Sequence, residues 1–251
     1  RQLYDPLARH VMDIDIYRTT EDRAGFNGGL FWHTDHNLDA RSATHRTYSR
    51  HNTPEGGDYG GGPSNEHNYT SGLLLHYLLT GDDSAKNAVI GLADWVIGMD
   101  EGESTVFSIL DPASATGLAS RTVFDDYHGP GRGAGNSINA LMDGYALTGN
   151  REYFSKAETL IRRCIHPDDD IEALELDQPE YRWSYLAFLQ VLGKYLGKKV
   201  ELGENDFAYA YARASLLHYA RWIALNERPY SERLDRVELP TETWPAQDIR
   251  K

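Results

Sequence analysis

Two segments with one shared pattern, GLLLHYLLTGD at residues 72–82 and ALMDGYALTGN at residues 140–150, decide the fold. The second segment lies 68 residues after the first, and four positions of the shared Y-x-L-T-G pattern are identical at that offset. These matched pairs are Tyr77 with Tyr145, Leu79 with Leu147, Thr80 with Thr148, and Gly81 with Gly149. Repetition on this scale is typical of an array of packed helix pairs.

The sequence around the repeat predicts helices. Apolar residues recur at intervals of three and four, as at Ala88, Leu92 and Trp95, and such spacing places them on one helix face. Each TG-D/N junction supplies a glycine that ends one helix and an Asp or Asn that caps the next. A looser third copy covers residues 182–198 and 207–224. We therefore predict an all-α protein, with residues 105–110 as the one candidate ribbon and with helices at 66–80, 83–98, 135–148, 151–165, 181–196 and 206–225.

The consensus is an aromatic or leucine-rich first helix, a TGD or TGN turn, and an Ala/Leu-rich second helix. This consensus resembles the (α/α) toroid scaffold of carbohydrate-active enzymes over residues 60–226. That superfamily includes polysaccharide lyases and glycoside hydrolases, and the resemblance selects no single family. It implies repeated antiparallel helical hairpins arranged in an (α/α) toroid. The alternative is a tetratricopeptide-like or HEAT-like solenoid, which seldom carries a polar connection as long as residues 99–132.

Three hairpins do not fill the six helix pairs of a complete toroid. The segment ELPTETWPAQDIRK at residues 238–251 also resembles a helix start, with Thr241 or Thr243 as its cap. We expect residues 1–251 to form one toroid-like domain that is a fragment or an open arc. Its apolar end faces would then be covered by another chain in an oligomer or by a missing segment that completes the toroid.

The composition excludes several classes of partner. The formal net charge is −13 and no block of lysine or arginine occurs, so neither nucleic acid nor an anionic membrane surface is expected to bind. A lone cysteine, Cys164, excludes an internal disulfide framework, and its helical setting predicts a buried structural thiol. The 16 Tyr, 5 Trp and 7 Phe suit a cleft for a flat polar ligand such as a sugar. Carbohydrate is therefore the expected partner, while the compartment stays open.

Loops that precede the first helix of each pair should emerge at the same end of the stack. In this chain these loops are residues 25–37, 60–68, 125–136, 179–184 and 239–248. Each loop combines Gly or Pro with several residues that carry chemistry, such as His, Tyr, Arg, Trp, Glu or Asp. We therefore expect one site assembled from several loops at a shared mouth.

The loop at residues 25–37 carries His33, Asp35 and His36, with Asp39 shortly after it. Imidazole and carboxylate groups three residues apart can face one ion, so His33, His36 and Asp39 are candidate metal ligands. No HExxH-type spacing is present. We expect His33, Asp35 and His36 to contact substrate instead, although a hydrogen-bonded helix start would also explain the pattern. No cofactor is predicted, and a divalent metal is the alternative.

The loop at residues 60–68 ends in Asn65-Glu66-His67-Asn68. A helix amino terminus there would present Glu66 and His67 as acid/base residues and would favour an anionic substrate group. Asn68 is a candidate substrate contact. The alternative is simple capping by Ser64 or Asn65, with Glu66 favoured by the helix dipole.

The loop at residues 125–136 combines Tyr127 and His128, as candidate catalytic residues, with Arg132 and Asn136, as candidate substrate contacts. Arg132 could bind a carboxylate bidentately. A tight turn between helices is the alternative, and no nucleotide-binding motif is present.

Two further segments combine an aromatic ring with a charge. They contribute Trp183, and Glu242 with Trp244, as candidate sugar contacts. For Trp183, packing at a helix end is an equal alternative.

Two enzymatic reactions fit these residues. Lyase action on a uronate needs a base, a proton donor and a group that neutralises the carboxylate. The His, Tyr, Arg and Asn set around residues 67–68 and 127–136 resembles the residue types used by toroid-type polysaccharide lyases, without a motif that matches position by position. A glycoside hydrolase with two paired carboxylates is the first alternative. A non-enzymatic helical-repeat binding module is the second.

Overall fold

The computed structural model describes residues 3–18, 27–30, 63–101, 118–120, 129–178, 182–236 and 247–251. Over these ranges the protein is all-α, as predicted, and contains no named strand. The helices are α1 (Tyr4–His10), α2 (Ser71–Thr80), α3 (Asp83–Glu101), α4 (Arg132–Thr148), α5 (Arg151–Cys164), α6 (Tyr185–Glu201) and α7 (Phe207–Asn226). The candidate ribbon at residues 105–110 lies outside the described ranges.

Helix α4 is the centre of the described fold. It packs against α3, α5 and α6, and its first half also meets a short 3₁₀ turn at Asn65–His67. Eleven of its residues are buried, including Ile138, Leu141 and Tyr145. Helix α7 covers α6, and α1 lies against α2. The residues that begin α4 are therefore surrounded by several elements, and a site located there can draw on all of them.

The two TG junctions have the same atomic structure, which confirms the expected helix ends. Gly81 and Gly149 adopt φ values of 72° and 70°, a left-handed conformation that glycine reaches without strain. The side chain of Asp82 then accepts a hydrogen bond from the Ser84 amide at 2.9 Å. Asn150 accepts one from the Glu152 amide at 3.0 Å. A two-residue connection between packed helices turns each pair into a hairpin.

Two glycines of α4 allow its neighbours to approach closely. A Cβ atom on Gly135 would lie 3.2 Å from the Phe188 backbone of α6. A Cβ atom on Gly144 would lie 2.8 Å from Ala93 of α3 and 3.2 Å from the Tyr153 ring of α5. The small residues that look like loop material in the sequence are therefore packing surfaces of the central helix.

The first repeat differs from the prediction at its beginning. A helix was expected from residue 66, yet α2 begins only at Ser71. The Ser64 hydroxyl accepts a hydrogen bond from the Glu66 amide and starts a single 3₁₀ turn, which ends when Asn68 leaves the helical region with ψ at 71°. In the second repeat Asn136 lies inside α4, so Asn68 and Asn136 are not structurally equivalent.

Two clusters of buried charge join the helices. The Lys199 ammonium of α6 lies within hydrogen-bonding distance of Glu158, Glu204 and Asp206, and 5.4 Å above the Phe154 ring. The second cluster centres on Asp100, at the end of α3. Its carboxylate contacts Lys156 and Arg163 of α5.

Large apolar side chains are exposed on the outer helices. Leu78 and Leu79 of α2 are 67% and 70% exposed, and Phe207 and Leu225 of α7 are 74% and 75% exposed. The expectation that an oligomeric partner or a completing segment covers such faces stays a prediction, as does closure into a toroid.

Candidate binding cleft

A cleft of about 250 Å³ lies where the amino-terminal ends of α2 and α4 meet the first half of α6. Its polar lining consists of hydroxyls, carboxamides and two guanidinium groups, and two aromatic rings complete it. The lining residues are Tyr69, Thr70, Ser71, Gly72, Arg132, Asn136, Asn139, Trp183, Ala187, Gln190, Val191 and Arg250. Among these described lining residues none is a carboxylate, and the two charged ones, Arg132 and Arg250, are both positive.

Arg132, the first residue of α4, is held in a fixed orientation. Its Nε donates a hydrogen bond to Oε2 of Glu66 at 2.7 Å, and its guanidinium lies 5.6 Å from the centre of the Trp183 ring. Neither Nη nitrogen donates to any residue that the structure describes. Because a guanidinium has five N–H donors, the four Nη donors remain for a ligand in the cleft.

The Asn65–His67 turn provides the buried anion that orients Arg132. The Glu66 carboxylate is almost fully buried, and the Glu66 carbonyl accepts a hydrogen bond from Nδ2 of Asn136 at 2.8 Å. Asn65 fixes the other side of the turn through a bond from its Nδ2 to the Ala119 carbonyl at 3.2 Å. The capping alternative for this segment is confirmed for Ser64, while the acid/base roles of Glu66 and His67 stay a prediction.

A polar network beneath the cleft fixes the first turn of α2. The buried Asp143 carboxylate accepts hydrogen bonds from Thr70 and Ser71 at 2.7 and 3.0 Å. It also accepts one from Asn139 at 3.1 Å and pairs with Lys194 at 2.5 Å. The Thr70 and Ser71 hydroxyls and the Asn139 amide, which line this side of the cleft, are thus hydrogen-bonded within the protein. These bonds make this side of the cleft rigid.

The structure brings part of the sequence-predicted site together. Arg132, Asn136 and Trp183 line the cleft, and Glu66 lies behind Arg132. His67 and Asn68 are buried next to it and do not line it. The remaining predicted residues, His33, Asp35, His36, Asp39, Tyr127, His128, Glu242 and Trp244, lie outside the described ranges.

The role expected for Trp183 is only partly consistent with the structure. The Arg132 guanidinium lies over its ring, and Tyr230 also packs against it. Trp183 therefore supports Arg132, while the exposed aromatic ring of the cleft is Tyr69, at 54% exposure. The Tyr69 ring is 5.7 Å from the His67 ring.

Sequence reasoning missed nine of the twelve described lining residues, among them Tyr69, Asn139, Gln190 and Arg250. Tyr69 directly follows the predicted Asn65–Asn68 tract, so its position was a usable signal. Asn139 and Gln190 lie within helices, and only the packing of α4 against α6 shows that they face one cleft.

Metal and thiol chemistry find no support within the described residues. No group of three or more His, Cys, Asp or Glu side chains there could hold a metal ion. The candidate ligands His33, His36 and Asp39 lie outside those ranges. Cys164 is buried as predicted, and burial raises the pKa of its thiol to about 12, which disfavours the reactive thiolate.

None of the helices in the described ranges is both long enough and apolar enough to cross a membrane. Comparison of the chain with protein-family models, with curated proteins and with solved structures found no significant match.

Proposed function

We propose that this protein is a carbohydrate-active enzyme that acts on an acidic polysaccharide or oligosaccharide by lyase-like β-elimination. The observation that carries the proposal is Arg132, whose Nε donates to Glu66 and which lines a cleft where none of the described lining residues is a carboxylate. A preoriented guanidinium binds a carboxylate with two parallel hydrogen bonds.

Carboxylate binding by Arg132 would serve the chemistry as well as the affinity. In β-elimination a base removes the proton on the carbon next to the carboxylate, and a carbon–carbon double bond forms as the glycosidic C–O bond breaks. The leaving oxygen receives a proton. Negative charge builds up on the carboxylate in the transition state, so a guanidinium placed there lowers the barrier. Tyr69 is the exposed phenol of the described cleft and lies beside His67, while Tyr127 and His128 remain candidate bases.

Other lining residues suit the neutral part of a sugar. Asn136 and Gln190 offer carboxamides that can both donate to and accept from hydroxyl groups. The exposed Tyr69 ring offers a flat apolar face for a sugar ring. A volume of about 250 Å³ is at the small end for ligand pockets, which suits a short segment of a longer chain.

The test is incubation with pectate, alginate and hyaluronan, followed by both ultraviolet absorbance and reducing-end assays. New absorbance from an unsaturated uronate supports the lyase reaction. We expect Arg132→Gln to lower the rate about 100-fold, because a charge-assisted contact contributes roughly 1.5–3 kcal/mol. The matched control is Arg213→Gln, which changes an exposed arginine on α7 with no side-chain hydrogen bond or ion pair to a described residue and should keep full activity.

Two outcomes would contradict the proposal. Reducing ends without absorbance would show the hydrolase alternative. That alternative needs a protonated carboxyl group, and Glu66 and Asp248 are both engaged by cations. Binding to these polymers without any turnover would show the binding-module alternative.

A further inference from the structure

The second guanidinium of the cleft belongs to Arg250, which no helix presents. It lies in the segment Gln247–Lys251, here called the strap. Nη1 of Arg250 donates to Oε1 of Gln190 on α6 at 2.5 Å, a contact that spans 60 residues of sequence. Its other two guanidinium nitrogens donate to no residue that the structure describes. Like Arg132, Arg250 is oriented by one contact and keeps most of its donors for something else.

The strap is anchored by the residue next to Arg250. The Lys251 ammonium pairs with Glu227 at 2.9 Å and with Asp248 at 3.1 Å, donates to the Arg228 carbonyl, and lies 3.5 Å above the Tyr230 ring. Its side chain is only 12% exposed. The three donors of this ammonium group are all used, so Lys251 itself offers nothing to a ligand.

The partner of Lys251 is in turn fixed from below. The Glu227 carboxylate is 4% exposed and accepts a hydrogen bond from the Tyr185 hydroxyl of α6 at 2.8 Å. Burial, with a further contribution from Glu227, raises the pKa of Tyr185, so the phenol stays protonated as a donor. The Tyr230 amide also donates to Asp248 of the strap at 3.0 Å. The buried ion pair of Lys251 and Glu227 therefore holds the adjacent Arg250 at the cleft.

We propose that Arg250 is a second carboxylate-binding residue of the cleft and that Lys251 and Glu227 position it. The proposal rests on the proposed function and narrows its substrate class. With Arg132 on α4 and Arg250 on the strap lining the same cleft, the ligand is an oligosaccharide that carries anionic groups on more than one unit. A sugar with a single carboxylate uses one of the two guanidinium groups and binds more weakly.

The first experiment measures dissociation constants by calorimetry for the trisaccharides of galacturonate, mannuronate and glucuronate, each with its methyl ester as the uncharged control. For the trisaccharide bound most tightly, we expect Arg250→Gln to weaken binding about 10-fold, the effect of one charge-assisted hydrogen-bonding partner. Binding of the methyl ester should not change. Arg213→Gln on α7 is again the matched control.

The second experiment tests the anchor. The double variant Glu227→Gln/Lys251→Met removes both charges of the pair and leaves neither one buried alone. We expect it to weaken binding of the acidic trisaccharide by as much as Arg250→Gln does. Adding it to Arg250→Gln should produce no further loss, because both changes remove the same contact. If Lys251 and Glu227 had only a structural role, the double variant would cause the same loss of affinity in the unsubstituted protein and in Arg250→Gln.

The outcomes separate this proposal from the proposed function. If the acidic trisaccharide binds and Arg132→Gln weakens it while Arg250→Gln does not, the role of Arg250 is wrong and the proposed function stands. If Arg250→Gln weakens binding and Arg132→Gln does not, the role given to Arg132 is wrong. Absence of binding to all three trisaccharides overturns both.

Discussion

Lys199 and Arg132 are both cations that lie over an aromatic ring beside a carboxylate, yet their surroundings differ. Lys199 is 1% exposed, and its three N–H donors meet three carboxylates, at 3.2, 3.0 and 2.6 Å. The Arg132 side chain is 25% exposed and meets one carboxylate through one of its five donors. A cation whose donors are all used holds helices together, whereas a cation with donors left over can bind a ligand.

The same distinction separates adjacent residues of the strap. The Lys251 ammonium uses all its donors within the protein, whereas the Arg250 guanidinium makes one hydrogen bond to a described residue and lines the cleft. Burial alone does not distinguish these roles, since lysine and arginine both place long apolar stems against the protein. The two roles are distinguished by the number of N–H donors that the protein leaves unused.

The largest expected effect on stability is that of Lys199→Met. The change leaves Glu158, Glu204 and Asp206 close together without their shared cation. We expect a loss of about 3 kcal/mol in the free energy of unfolding, as for breaking a buried pair, with some relief from water at the partly exposed carboxylates. Urea denaturation measures it. The neighbouring Lys198→Met, which removes only an exposed pair with Glu201, is the control. Equal losses of unfolding free energy in Lys199→Met and Lys198→Met would contradict the structural role given to Lys199.

The next effect is that of Asp100→Asn, expected to cost about 2 kcal/mol at neutral pH. Burial on its own would raise the pKa of Asp100, but hydrogen bonds from Arg163 and Lys156 outweigh it and the pKa is lowered below 3.8. A group whose folded pKa is depressed stabilises the fold above its unfolded pKa and loses that contribution as the pH falls through the folded value. The difference between the unsubstituted protein and Asp100→Asn should therefore shrink below about pH 4, in urea titrations repeated at several pH values. A difference that stays constant with pH would contradict this.

Arg132→Gln should affect stability less, by about 1 kcal/mol, because it leaves one carboxylate without its cation instead of three, and the introduced carboxamide can still donate a hydrogen bond to Glu66. Its effect on ligand affinity should be much larger. Unfolding curves and calorimetry on the same preparation compare the two quantities. If Arg132→Gln destabilises the fold as much as Lys199→Met does, Arg132 is a structural cation. The distinction between structural and ligand-binding cations would then not hold for the cleft.

The smallest effect is expected for Arg151→Gln. Arg151 pairs with Glu204 at 2.8 Å and lies 5.0 Å from the Phe154 ring, the same ring that lies beneath Lys199. Its side chain is more than half exposed, so solvent screens the pair. We expect no measurable change in the urea midpoint. A loss of unfolding free energy comparable to that of Lys199→Met would contradict this. It would show that the contact with the aromatic ring, and not the use of every N–H donor, determines how much a cation stabilises the fold.

Much of the fold could be predicted because its signals are local. The TG junctions identify two hairpins correctly, since a left-handed glycine and the following Asp or Asn cap involve neighbours only a few residues apart. The start of α2 could not be predicted from the same repeat. Whether Asn68 begins a helix depends on its surroundings, where Thr70 bonds to Asp143 on another helix.

The sequence by itself determined the helical class, the hairpin joints, the buried Cys164 and three of the residues that line the cleft. Only the tertiary structure decided which charges meet. Glu66 and Arg132 are 66 residues apart, and Gln190 and Arg250 are 60 apart. Such pairs form only when the Asn65–His67 turn packs against α4 and the strap lies against α6, contacts that no periodicity encodes. Helix formation depends on backbone hydrogen bonds between residues that are close in the sequence. Which side-chain N–H donors stay unused depends on partners that are distant in the sequence, so only the complete fold determines it.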